Sequence, residues 1–171
     1  MIYAKAIPYG LDATIKRLQQ HLDTYLSLIW AGTFEIFGKI QRTETESGII
    51  PEAYSSGNEY IQVFVNDNVA CTIGFDLIDR TIDSVKKATV DVIFTLNLEE
   101  IHEDTLRNDE KALLEAQKVI EKSGLTKVIL VKEGIKEVFS NFQYENIKYR
   151  DMQPWQVFSF RCELMYFDNL C

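Results

Sequence analysis

The chain has 171 residues, of which 46% are hydrophobic and 26% charged; that suffices to bury a proper core and is too ordinary a balance for disorder. Its formal net charge of −8 argues against a basic groove for nucleic acid, which needs clustered Lys and Arg, although an acidic wall can repel the phosphates of DNA sliding past it. The three cysteines, Cys71, Cys162 and Cys171, follow no disulfide or metal spacing and imply synthesis in a reducing compartment.

The first ten residues lack the basic segment and apolar run of a signal peptide. No apolar run approaches the ~20 residues of a membrane span. Met1–Ile7 reads as an arm or an edge strand, closed by Pro8-Tyr9-Gly10. Leu11–Ile29 is a predicted helix: Leu11, Ile15, Leu18, Leu22, Tyr25 and Ile29 recur at three- and four-residue spacing and share one stripe. Asp12 meets the positive end of its dipole, and Gly32 stands just past its end as a stop. Thr33–Arg42 reads as a strand, with Phe34, Ile36 and Ile40 on one face. Residues 43–58 are polar and broken by Ser47-Gly48, Pro51 and Ser55-Ser56-Gly57-Asn58. They read as a long loop, mobile or ordered by a partner; Ile49, Ile50 and Tyr54 favour the partner. Glu59–Val65 and Val69–Phe75 are predicted strands, joined as a hairpin by Asn66-Asp67-Asn68, whose residues tolerate left-handed φ. Asp76–Lys87 reads as a polar connection with one or two helical turns.

In Ala88–Leu98, a fourth predicted strand, Val90, Val92, Phe94 and Leu96 alternate with Thr89, Asp91, Ile93, Thr95 and Asn97. Asp104 is expected to cap a second helix over Thr105–Lys122, with Leu106, Leu113, Ala116 and Ile120 inward and Gly124 after its end. Lys127–Lys132 is a short strand. Gly134–Phe142 is a short helix or turn built on Ile135, Val138, Phe139 and Phe142. Trp155–Phe167 is the longest predicted strand, where five or six residues are usual; Pro154 cannot donate to a ladder and marks its entry. Successive side chains point to opposite faces. Phe158, Phe160, Cys162, Leu164 and Tyr166 therefore form a core face. Val157, Ser159, Arg161, Glu163 and Met165 form the other, expected to meet water or a partner. The order predicts one α+β domain over residues 1–171: a mainly antiparallel sheet, two principal helices packed on one face and a long C-terminal strand.

No residue set points to catalysis, a cofactor or a bound metal. The glycines make no GxGxxG or P-loop, and no GxSxG elbow occurs. His21 reads as the margin of the first helix's stripe. His102, in His102-Glu103-Asp104, could join these acids on a metal but reads as part of a solvated loop. A divalent-metal phosphodiesterase is the enzyme class to weigh, with Asp67, Asp76 and Asp91 as its available acids. The one Asp-x-Lys match, Asp109-Glu110-Lys111, falls on a predicted helix, where residues two apart diverge. Cys71 and Cys162 read as small core residues, and no His neighbours any cysteine in sequence. Phe158-x-Phe160 is a poor nucleic-acid stacking platform, because Glu163 counters Arg161 and the chain is acidic.

The layout resembles the tail-terminator and tail-completion proteins found at the neck of long-tailed bacteriophages. The resemblance runs from the helix Leu11–Ile29 through Tyr60-Ile61-Gln62-Val63-Phe64-Val65-Asn66-Asp67, Ile73-Gly74-Phe75 and Val90-Asp91-Val92-Ile93-Phe94. It continues through Gly134–Phe142 and Asp151-Met152-Gln153-Pro154-Trp155 into Phe158-x-Phe160-x-Cys162-x-Leu164-x-Tyr166. It implies a structural virion protein and no enzyme: a homohexameric ring that caps the tail tube, contacts tail-tube and neck or connector proteins, and lets DNA through its lumen. Under that implication the polar face of the last strand, residues 43–58 and Asp76–Lys87 are contact surfaces.

Overall fold

In a computed structural model, which describes residues 1–57, 59–63, 66–83, 85–102, 108–145, 147 and 151–167, eleven elements follow one another. They are α1 (Leu11–Leu26), β1 (Phe34–Thr45), β2 (Gly48–Tyr54), β3 (Tyr60–Gln62), β4 (Cys71–Thr81), β5 (Lys86–Asn97), α2 (Leu98–Ile101), α3 (Asp109–Lys122), β6 (Thr126–Glu133), α4 (Ile135–Val138) and β7 (Trp155–Tyr166). The strands make a seven-stranded sheet in the order β3-β2-β1-β4-β5-β7-β6. Only β1 and β4 pair in parallel; every other neighbouring pair is antiparallel. The architecture is α+β, with helices packed on a mostly antiparallel sheet.

Alternation along β7 dictates the main core. Phe158, Phe160, Cys162, Leu164 and Tyr166 all point to the helix side and are buried. They pair in register with Phe94, Val92, Val90, Ala88 and Lys86 of β5. Phe94 stacks on Phe158 at 5.1 Å, and Phe160 meets both rings edge-on. Helix α1 lays Leu11, Ile15, Leu18, Leu22 and Leu26 on this layer, all buried, each contributing about 2 kcal/mol. Helix α3 adds Ala112, Leu113, Ala116, Val119 and Ile120.

Several boundaries and pairings differ from the sequence reading. Helix α1 stops at Leu26, where Ser27 Oγ donates to Asp23 O at 2.6 Å; Tyr25 and Ile29 are exposed, and Trp30 turns back into the core. Gly32 is part of the turn into β1, at φ 83°. Residues 43–58 are no long loop: β1 runs on to Thr45 and returns as β2, paired from Gln41↔Glu52 to Thr45↔Gly48. Asn66-Asp67-Asn68 does turn the chain, with Asn66 Oδ1 accepting from the Asn68 backbone N–H at 3.0 Å. The strands on its two sides do not pair with each other, because β3 joins β2 while β4 joins β1 and β5. Asp76–Lys87 is no helical connection either; β4 and β5 continue through it as a hairpin to Thr81↔Lys87. Asp104, Thr105 and Leu106 lie outside the described residues, as do Asn58, Phe64, Val65 and the tail from Asp168 to Cys171; α3 is described from Asp109.

The opposite face of the sheet is half covered. Val157 and Ser159 of β7 are buried. They lie under a second cluster in which Ile40 and Ile93 of the sheet meet Ile135, Val138, Phe139, Phe142 and Ile147. The mostly polar face expected to meet water or a partner is therefore capped at one end by α4 and the turn after it. Toward the other end Arg161, Glu163 and Met165 come progressively into solvent, Met165 at 54%.

Candidate functional site

Five charged side chains cross this open face in one row, each from a different strand: Arg42 (β1), Asp76 (β4), Asp91 (β5), Arg161 (β7) and Lys132 (β6). The register places them together. Asp76 is directly opposite Asp91, and Asp91 directly opposite Arg161. Arg161 grips Asp91 with two parallel hydrogen bonds, Nε to Oδ1 at 2.8 Å and Nη2 to Oδ2 at 2.9 Å. Lys132 Nζ donates to Oδ2 as well, at 3.1 Å. Arg42 Nη2 reaches both oxygens of Asp76, at 3.0 and 3.3 Å, and its guanidinium lies 5.6 Å from the Phe142 ring centroid. Burial pushes the Asp76 carboxyl above its ordinary value, Arg42 pulls the other way, and the charge of Asp91 adds to the rise. Such a row neutralises two buried carboxylates that sit face to face, a pairing that is costly unless countered.

Of the three acids weighed for metal chemistry, the fold brings Asp76 and Asp91 together and leaves Asp67 apart. Asp67 lies in the turn before Cys71, while Asp76 is five residues along β4, roughly 16 Å at strand rise. All four oxygens of Asp76 and Asp91 already accept from Arg or Lys. Among the described residues no group of three or more His, Cys, Asp or Glu could hold a metal ion.

The remaining candidates are placed as follows. His21 Nε2 lies 2.9 Å from Val119 O, at the α1–α3 contact, with its ring against Tyr25. His102 is not in a solvated loop. It is buried, with Nε2 3.0 Å from Glu115 Oε2 but without hydrogen-bonding alignment. The same oxygen accepts from Trp30 Nε1 at 2.7 Å. The residues that follow His102, Glu103 and Asp104, lie outside the described residues. Asp109, Glu110 and Lys111 open α3, and Asp109 lines a cleft of about 250 Å³ with Leu98, Glu133, Asp151, Gln153 and Trp155. Cys71 and Cys162 are buried, and burial pushes the Cys162 thiol up to about 12 and that of Cys71 higher still, so neither is a thiolate nucleophile at neutral pH. Phe158 and Phe160 are fully enclosed in the main core.

One end of the sheet is different in character. Strands β1 and β4 run parallel, and β7 runs antiparallel to β5, hence in the direction of β4. The β1–β2 turn, the β4–β5 turn and the end of β7 therefore point the same way. The start of α1 joins them: a Cβ on Gly10 would lie 3.7 Å from the Tyr166 ring, and Arg80 sits 5.6 Å from that ring's centroid. Here Ile7, Tyr9, Ile82, Val85, Met165 and Phe167 are exposed, four of them by 65% or more. Large apolar side chains gathered in water at one end of a sheet are a feature of interaction surfaces.

No family model matches the chain, and neither a curated protein nor a solved structure is significantly similar to it.

The row of charges escaped the sequence reading because its partners are 34, 41 and 70 residues apart. The available signal was a lone Asp91 amid Val90, Val92 and Phe94, and a lone Arg161 amid Phe160 and Cys162. Opposite charges at matching places on two apolar strands are candidates for cross-strand partners.

Proposed function

We propose that this chain is a structural subunit of a tailed-bacteriophage virion, a tail-terminator or tail-completion protein. Six copies form a ring at the head–tail junction, which caps the tail tube, meets neck or connector proteins and lets DNA through. The observation that carries the reading is the hairpin end of the sheet. The β4–β5 turn, the end of β7 and the entry to α1 together leave six apolar side chains exposed at one end of the sheet, a surface suited to adhesion. The carboxylates of the open face point the same way, being tied to Arg and Lys rather than gathered about an open coordination position. A net charge of −8 suits a lumen that DNA must traverse without sticking.

The test has two parts. Mass spectrometry of purified virions is expected to find the chain, and labelled antibody to place it at the neck. Native mass spectrometry of the purified chain at high concentration is expected to show a closed oligomer of six. A strictly monomeric chain that is also absent from particles removes the reading.

A further inference from the structure

A ring closes through a heterologous contact, so each subunit needs two different surfaces that fit one another. The sheet supplies two unpaired edges, β3 at one side and β6 at the other; among the described residues no further strand pairs with either. Each edge exposes apolar side chains: Ile61 on β3, and Ile129 and Leu130 together on β6, where a bulge between Val128 and Leu130 interrupts the alternation. An open edge is a template for another chain.

Charge selects which chain. Residues 43–62, which span the β1–β2 turn, β2 and β3, contain Glu44, Glu46, Glu52 and Glu59 and no Lys or Arg. Residues 122–136, around β6, contain Lys122, Lys127, Lys132 and Lys136 against Glu133 alone. Two β6 strands paired antiparallel about Ile129 and Leu130 would set Lys127 of each opposite Lys132 of the other, whose charge Asp91 offsets only in part, and like charges directly opposite are destabilising. The basic edge therefore rejects itself and fits the acidic one.

We propose that copies of this chain join head to tail by continuing the sheet, the β6 edge of one copy against the β3 edge of the next. This rests on the ring reading and names its contact. Ion pairs between Lys127 or its neighbours and the acidic arm set the direction, and Ile61 meets Ile129 and Leu130 in the seam. The contact is heterologous, so copies can be added until the curvature of the sheet closes the ring.

The experiment uses the full chain carrying Cys171→Ser, so that the buried Cys71 and Cys162 are the only native thiols. One preparation carries Ile61→Cys and another Ile129→Cys, both at exposed positions. A short bis-maleimide is expected to cross-link the mixture into dimers and to leave each preparation alone uncross-linked. Raising salt to about 1 M, or adding Lys127→Glu, is expected to lower the yield several-fold, since screened or reversed surface pairs lose their attraction. Self-cross-linking of the Ile129→Cys chain overturns the proposal, and so does a mixture that gives no product. A closed oligomer in native mass spectrometry without the mixed cross-link overturns this contact and leaves the ring standing; absence of the chain from particles strikes the virion reading instead.

Discussion

Asp91 is nearly solvent-free, yet it carries three charge-assisted hydrogen bonds. Asp91→Ala removes the carboxylate to which both Arg161 and Lys132 are bonded. Removing one partner of a buried pair costs about 3–5 kcal/mol. Both cations are partly exposed, with side chains 26% and 19% accessible, so about 3 kcal/mol is expected as a loss in urea-unfolding free energy. Asp76 behaves differently because burial raises its folded-state pKa above the ordinary 3.8. The folded chain then binds this proton more tightly than the unfolded chain does, so the group's contribution to stability worsens as pH rises from the ordinary value through the raised one. Asp76→Asn removes that titration. The stability of the wild type relative to the variant is therefore expected to improve as pH falls from 7 toward about 4, read from urea midpoints at each pH. Gly32 shows a third kind of constraint. Its φ of 83° disfavours any side chain, and an added Cβ would lie 2.4 Å from Ala70 Cβ. Gly32→Ala is expected to cost about 3 kcal/mol, combining left-handed strain with overpacking.

At the scale of elements, the arm formed by the far half of β1 with β2 and β3 is set apart from the rest. β1 pairs with β4 only as far as Ile40↔Asp76 and with β2 from Gln41 onward. Its Ala53 joins Phe37 of the near half of β1 and Val63 just past β3 in a small cluster. It is tied back by Arg42 on Asp76 and Phe142, and by the Gln143 backbone N–H on Ile49 O at 2.8 Å. Arg42→Ala is expected to raise hydrogen exchange in residues 43–62 while leaving α1 and β5 protected, with a global loss of about 1 kcal/mol or less, because local opening can be decoupled from global unfolding. Sequence made α1 and β7 readable, since each buries one continuous face and keeps its period. The arm was unreadable for a physical reason: β2 buries only Pro51 and Ala53, so no apolar alternation records it. The β4–β5 hairpin was obscured by its bulge between Leu77 and Asp79, which shifts side-chain parity at Ile78 and breaks the two-residue period. The turn at Asn66–Asn68 was legible, but turn chemistry does not say which strands pair on either side of it. The same limit hid the charge row: the acids were visible one at a time, while their grouping depended on a register set by four strand pairings.

For the whole molecule, the proposed passage of DNA sets an acidic protein against an acidic polymer. Twenty-six Asp and Glu stand against eighteen Lys and Arg, and several of those cations are committed inside the fold. Arg161 and Lys132 hold Asp91, Arg42 holds Asp76, and Lys87 holds Glu163 at 3.1 Å. The remaining cations are outnumbered by the acids, and net repulsion opposes the phosphate contacts that give DNA binding its affinity and its salt dependence. The proposed ring, through which DNA would slide, is served by weak affinity, because a sliding polymer is slowed by every attractive contact. The purified chain is expected not to retain duplex DNA in fluorescence anisotropy, either at about 50 mM or at about 200 mM salt, where a protein with several phosphate contacts would change affinity by orders of magnitude. Binding that strengthens as salt falls would count against the proposed DNA-repelling lumen, because it would show phosphate contacts on a chain whose net charge is −8.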